Sequence, residues 1–207
     1  YTMKLGFALE YSLGHVTHAA NLKAVLAQRP HLDPHCVDLP YAGMSAPWAR
    51  LPGVRSNWSL RASLGAYLGL RREAAQCGGL LFHTQVTSLL SAGLMARTPS
   101  VVSLDATPLQ YDALGAFYGH APGSGRIEAL KKRLNTRAFT SARVLVTWSE
   151  WAKRSLVAKP FADRIRLDTA IRTVERFDGS VAITDSKGRR ERYDHIVMAT
   201  HADQALA

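Results

Sequence analysis

From Met3 to Leu156 short apolar runs alternate with longer stretches in which hydrophobic residues recur at helical spacing. "MKLGFAL" (3–9) is nearly continuous apolar sequence and predicts a buried strand. "HAANLKAVLAQR" (18–29) follows, with Ala20, Ala24 and Leu26 or Ala27 at helical intervals, and "DPHCVDLP" (33–40) predicts a second strand. A Pro/Gly-rich loop runs from Pro40 to Gly53. It leads into "WSLRASLGAYLGLRREAAQ" (58–76), where Leu60, Leu64 and Leu68, with Arg61, Arg71 and Arg72, predict an amphipathic helix. The alternation then continues through strand "GGLLFHT" (78–84), helix "VTSLLSAGLMAR" (86–97), strand "PSVVSLD" (99–105) and an irregular segment 106–123. Helix "GRIEALKKRLNTRAFTS" (125–141), strand "RVLVTWS" (143–149) and helix "EWAKRSLV" (150–157) complete the series. Apolar strands separated by helices imply a parallel sheet covered on both faces. The predicted fold class is α/β, with a doubly wound, Rossmann-like sheet over residues 1–158.

After Lys159 the pattern changes. Asp178-Gly179 and Lys187-Gly188 are hairpin signals. Ile171 and Val174 precede the first turn, and Val181 and Ile183 follow it. Residues 159–207 therefore predict a small antiparallel β meander leading to a final apolar strand at Ile196–Ala199, closed by Thr200-His201. Pro160 discourages the preceding helix from continuing and marks the boundary.

Composition agrees with a folded chain: 47% of the 207 residues are hydrophobic and 20% are charged. The formal charge of +10 is uneven: residues 1–158 hold 17 Lys/Arg against 8 Asp/Glu, and residues 159–207 hold 9 against 8. The basic character thus belongs to the first part, where it favours phosphates, acidic lipid head groups or nucleic acid, or remains a solvated surface. Nucleic acid is not an expected partner, since no recognised binding module accompanies the charge. Cys36 and Cys77 stand alone in sequence and read as buried apolar residues. Met3-Lys4 reads as a natural start. No run reaches the ~18–20 apolar residues of a membrane span, and the expected location is the cytoplasm.

A doubly wound sheet presents its ligand site at the carboxyl ends of its strands, so the loops after the strands hold the candidates. In "EYSLGHVTH", Gly14 permits close backbone approach, His15, Thr17 and His18 offer donors or acceptors, and a helix amino terminus follows; the plainer alternative is Thr17 as a helix cap beside a surface histidine. His83 in "FHTQ" is either a packed strand-end residue or a group turned toward a ligand. In "SLDATPLQYD", Asp105 and Thr107 follow a buried strand, where an aspartate can accept a sugar hydroxyl or act as a base, although the same residues are common in turns. Ser149-Glu150 reads as a helix start, and Trp148 and Trp151 as packing. A dinucleotide fingerprint, a Walker loop, a G-x-S-x-G elbow and an H-E-x-x-H motif are all missing, so hydrolase and metalloprotease readings have no support.

Taken together, "GHVTHAANLKAVL", "LLFHTQVTSLLSAGLMARTPSVVSLDATPLQYDALGAFYG" and "LKKRLNTRAFTSARVLVTWSEWAKRSLV" resemble the amino-terminal domain of GT-B glycosyltransferases of the family 4 type, over residues 3–158. The resemblance implies a Rossmann-like domain that chiefly binds the acceptor, and a glycine-containing first loop that faces the donor's phosphates across a cleft. Gly14 and His15 would then belong to the cleft loop, and His83, Thr84, Asp105 and Thr107 to the acceptor side. It also implies a second Rossmann-like domain for the nucleotide sugar, which is expected after "WSEWAKRSLVA" and is not found there. Residues 160–207 instead resemble a segment of FAD-dependent amine-oxidase-like oxidoreductases, with Ala199-Thr200-His201 where Ala-Thr-Gly often stands. That family's dinucleotide cradle has no counterpart here, so FAD is not an expected cofactor.

The expected function is the acceptor side of a sugar transfer from a nucleotide sugar, with an acceptor glycan or lipid-linked acceptor and peripheral contact with the inner membrane surface. No cofactor is expected beyond the donor substrate. The alternatives are an oxidoreductase fragment and a non-catalytic fusion of the two parts.

Overall fold

The computed structural model describes residues 2–113, 125–157 and 171–193. The first two ranges form an α/β layer built on a five-stranded parallel sheet. Its strands are β1 (Met3–Tyr11), β2 (Leu32–Pro40), β3 (Gly79–Phe82), β4 (Ser100–Leu104) and β5 (Val144–Thr147). Their order is β2-β1-β3-β4-β5, so the direction of winding reverses between β1 and β3. Crevices at such a reversal are where open α/β sheets bind ligands.

Helix α1 (His15–Ala27) follows β1, and α2 (Trp58–Leu70) follows β2. Side chains of β1 alternate between the two faces. Phe7 and Leu9 pack with Ala19 and Leu26 of α1, while Ala8 packs with Leu39, Ala66, Leu70, Leu80 and Phe82 on the other side. Burial on both faces explains why β1 reads as a continuous apolar run rather than an alternating one.

Along α2 the residues held against the sheet are small except for Leu70 at its end. Ala62, Ser63, Gly65, Ala66 and Leu70 are buried, whereas Leu60, Leu64 and Leu68 are only half-buried. The leucine stripe identifies a helix but not its inner face, because the helix approaches β2 too closely for large side chains. A Cβ on Gly65 would lie 2.8 Å from Leu39 Cδ2, and one on Gly69 would lie 2.6 Å from Val37 Cγ1 and 2.7 Å from its Cγ2. Asn57 caps the helix, its side chain accepting from the Leu60 amide at 3.0 Å. Arg71 and Arg72 lie beyond its end, in a turn that passes into a 3₁₀ segment at Ala74–Gln76.

Two further segments depart from the sequence pattern. The stretch 86–97 is not one helix: α3 (Gln85–Ser88) and α4 (Ala92–Met95) are separate turns. Thr87 Oγ1 donates to the Thr84 carbonyl and Ser88 Oγ to the Gln85 carbonyl, each at 2.8 Å, local bonds that compete with helix propagation. The segment expected to be irregular holds a helix, α5 (Pro108–Ala113), which begins on proline, a favoured first helical residue. Helices α6 (Gly125–Ser141) and α7 (Glu150–Val157) match the expected spans, and Ser149 caps α7 by accepting from the Ala152 amide at 3.1 Å. Cys77 is buried as expected; Cys36 is half-buried.

A separate antiparallel sheet contains β6 (Ile171–Phe177), β7 (Ser180–Asp185) and β8 (Arg190–Tyr193). Both hairpin signals mark turns, with Gly179 at φ +71° and Gly188 at φ +77°, conformations that favour glycine. Asp185 holds the second turn: Oδ1 accepts from the Lys187 and Arg189 amides and Oδ2 from Arg189 Nε, all at 2.9 Å. The predicted boundary at Lys159-Pro160 and the final strand at Ile196–Ala199 lie outside the described residues. Among the described residues no helix is long and apolar enough to cross a membrane.

The close α2–β2 packing has a measurable consequence. Alanine at position 69 gains about 1 kcal/mol of helix propensity but overpacks against the stiff, β-branched Val37, which costs about 1–3 kcal/mol. Gly69→Ala is therefore expected to lower the denaturant midpoint. Adding Val37→Ala, which removes both clashing methyl groups, should restore much of the packing loss, seen as a favourable coupling in a double-mutant cycle. Additive effects of the two changes would contradict the close contact.

Candidate functional site

The carboxyl ends of β1, β3, β4 and β5 bring together residues that are far apart in sequence. Their arrangement starts from Glu10, the penultimate residue of β1, which is 3% exposed. Its carboxyl group accepts from Ser12 Oγ at 2.5 Å in the following loop, from Trp58 Nε1 at 2.9 Å on α2, and from Thr84 Oγ1 after β3. No cation takes part in these bonds. The Glu10 amide donates to His83 Nδ1 at 3.3 Å, and the His83 amide donates to the Ala8 carbonyl at 3.0 Å. The ends of the two central strands are thus tied by main chain and side chain alike.

His83 is fully buried at the end of β3. Its Nε2 lies 2.5 Å from Nδ1 of His18, one turn into α1. The two ring planes are 14° apart with centroids separated by 4.7 Å. Because the nitrogens make the close approach, the rings meet edge to edge and nearly in one plane, the geometry of an N–H···N bond. Burial, followed by the neighbouring His18 and His15, pushes the His83 pKa down to about 3. Burial and then His15 push His18 below its ordinary value.

Gly14 is the exposed residue before α1, and the helix begins at His15 with neither a side-chain cap nor an acidic residue in its first turn. Thr17 is exposed within that turn and is not the cap. The preceding Leu13 has φ +44° and is 88% exposed, a strained backbone for a non-glycine residue at the mouth of the site. His15 points inward: Nε2 lies 3.6 Å from Asp105 Oδ2, and Nδ1 is buried without a hydrogen-bond partner among the described residues. Asp105, just after β4, accepts from its neighbour's amide at 2.8 Å and from Tyr111 Oη at 2.9 Å.

Trp148, just after β5, closes the group. Its ring centroid is 5.3 Å from that of His15, 4.6 Å from His18 and 5.9 Å from His83. Its Nε1 donates to Ser103 Oγ at 2.5 Å, and 37% of the residue is exposed. Trp148 thus packs against the three imidazole rings, as expected, with part of its surface exposed. Trp151, also expected to pack, is half exposed.

Of the residues predicted from sequence, the structure brings His15, His83 and Asp105 together. Gly14 and Thr17 lie at the edge of that group. Thr84 is turned inward onto Glu10. Thr107 is 3% exposed; its hydroxyl bonds Ser155 of α7 at 2.6 Å and its amide donates to Gln110 Oε1 at 2.9 Å, so it joins α5 to α7. Glu10 is not singled out by the sequence pattern, Trp148 reads from it as packing, and His18 reads only as a donor or acceptor in the first loop. A charged residue closing the apolar run "MKLGFALE" is the one local sign of Glu10. Among the described residues no three His, Cys, Asp or Glu side chains could jointly hold a metal ion. No protein-family model and no curated protein matches the chain.

The low His83 pKa makes acid the solvent condition to which this site responds. Unfolding returns the imidazole to its ordinary value near 6.5. Between about pH 6.5 and 3 the unfolded chain then holds more protons than the fold, so stability present above that window declines as pH falls through it. Between pH 6.5 and 5, before the carboxylates protonate, His83→Gln should show a shallower loss of unfolding free energy than the native chain, by at most about 1.4 kcal/mol per pH unit. Urea titrations at several pH values measure it, and equal slopes would contradict a neutral buried His83.

Proposed function

We propose that this domain is the acceptor-side half of a glycosyltransferase of the GT-B type, and that the group around His15, His18, Asp105 and Trp148 is its sugar-facing surface. The observation that carries the reading is the convergence of a carboxylate, two imidazoles and an indole face at the β1/β3 reversal, from a helix start and two strand ends. Sugar hydroxyls need both donors and acceptors, and their C–H faces pack on aromatic rings, as an indole whose N–H is already bonded to Ser103 can offer. Asp105 supplies acceptors, the histidines supply donors, and Gly14 leaves open space before the start of α1, which has no side-chain cap. Seventeen basic residues against eight acidic ones in residues 1–158 favour a phosphate-bearing donor nearby and an acceptor attached to an acidic membrane surface.

Sugar transfer also requires stabilisation of the departing diphosphate. The resemblance assigns most of that surface to a second Rossmann-like domain, so the proposal commits this domain to binding and orienting rather than to turnover by itself. No cofactor enters the scheme.

Isothermal calorimetry with UDP- and GDP-sugars, and with simple glycosides as acceptor fragments, tests the reading. Weak saturable binding is expected, reduced about tenfold by Asp105→Ala, the loss of roughly one hydrogen bond to a charged group. The absence of saturable binding for every nucleotide sugar, nucleotide and glycoside would refute it.

A further inference from the structure

A backbone amide can only donate, so the Glu10 N–H on His83 Nδ1 requires a lone pair at that nitrogen. A neutral His83 must then carry its proton on Nε2, the atom 2.5 Å from His18 Nδ1. His18 Nδ1 has to accept that proton, which places the remaining proton of a neutral His18 on its own Nε2. Protonating His18 at Nδ1 would set two N–H groups against each other, and protonating His83 at Nδ1 would set its proton against the Glu10 amide. Both histidines are shifted toward the neutral form. His18 is an exposed residue, and its Nε2 has no hydrogen-bond partner among the described residues.

We infer that His83 is a positioning residue that fixes His18 as a neutral Nε2–H donor at the exposed start of α1, and that this donor takes an oxygen acceptor of the ligand, a phosphate or hydroxyl oxygen. The direction of each bond in the chain Glu10 amide, His83, His18 follows from its first member. Because the donor is uncharged, it discriminates by direction and not by net charge, unlike a lysine or arginine in its place. Trp148, with its ring centroid 4.6 Å from that of His18, limits the directions in which the imidazole can swing. The ligand's identity as a nucleotide sugar rests on the function proposed above; the donor's orientation does not.

NMR of the protein labelled with nitrogen-15 at histidine, at neutral pH, tests the orientation without any ligand. The expected result is a through-hydrogen-bond coupling between His83 Nε2 and His18 Nδ1, with the His18 proton on Nε2. A proton on His18 Nδ1, or no coupling between the rings, overturns the inference. Titration with inorganic phosphate and, separately, with UDP-glucose then tests the donor. His18 Nε2 should respond to phosphate, and His83→Phe should weaken binding about five- to tenfold, the value of one hydrogen bond. His83→Gln, which retains an acceptor for the Glu10 amide and a donor for His18, should bind as the native chain does. Unchanged binding by His83→Phe overturns the positioning role; if that variant does not fold, unchanged binding by His18→Phe, at an exposed position, overturns the donor role. Absence of any response at His18 to both probes also overturns the donor role. A response to phosphate with none to UDP-glucose supports the donor and refutes only the nucleotide-sugar reading.

Discussion

The carboxyl group of Glu10 is the constraint on which the ligand-facing end of the sheet depends. Removing a carboxylate from water costs several kcal/mol unless its oxygens are satisfied, and here Ser12, Trp58 and Thr84 satisfy them from a loop, a helix and the turn after β3. Each donor is neutral, so the group acts through directed hydrogen bonds rather than through an ion pair. Such bonds lose their value when a donor shifts, and an unpaired buried partner costs about 1–3 kcal/mol. The spacing of the β1 loop, the start of α2 and the start of α3 is therefore held by one residue. Trp58 in turn packs beside Tyr41, and Arg61 lies over both rings while donating to the Arg55 and Tyr41 carbonyls, so the loop before α2 is bound into the same frame.

The histidine pair inherits its geometry from this frame. The carboxyl group fixes Thr84 and the Glu10 amide fixes the adjacent His83, so two consecutive residues after β3 are held by one residue at the end of β1. His83 has no freedom to choose its tautomer, and through it His18 has none either. Burial of His83 alone would leave the ring neutral but its protonated nitrogen undetermined; the amide contact decides which nitrogen carries the proton.

The layer structure was legible because helix and strand periods differ along this chain. β1, α6, α7 and both glycine turns of the small sheet fall where the pattern puts them. The inner face of α2 was not legible: leucines at positions 60, 64 and 68 carry the larger hydrophobic signal, but the close approach of helix and sheet selects Ala62, Gly65, Ala66 and Gly69. Nor was the break between α3 and α4, which comes from hydroxyl groups bonding back to carbonyls within a stretch that has helical spacing. At the site, His15, His83 and Asp105 could be picked out because strand ends in a doubly wound sheet are privileged positions. Trp148 is also at a strand end, but an indole there reads equally as a packing residue, and its meeting with three imidazole rings is not encoded in any local pattern. Glu10 was hidden for a different reason: its significance lies in three donors separated from it by 2, 48 and 74 positions, which no local pattern encodes.

Hydrogen bonding separates the residues that build the site from those left to act. Both His83 nitrogens are occupied, as are the hydroxyls of Thr84 and Thr107 and the indole N–H of Trp148. Among the described residues His15 Nδ1 and His18 Nε2 are without a hydrogen-bond partner, Trp148 is partly exposed beside the three imidazole rings, and Asp105 retains acceptor capacity beyond its two bonds. These groups come from α1 and from the ends of β4 and β5, all outside the Glu10 hydrogen bonds. The end of β3, buried between them, contributes only support. The strand nearest the reversal point thus acts through its neighbour, because burying His83 deeply enough to order His18 also removes it from contact with solvent.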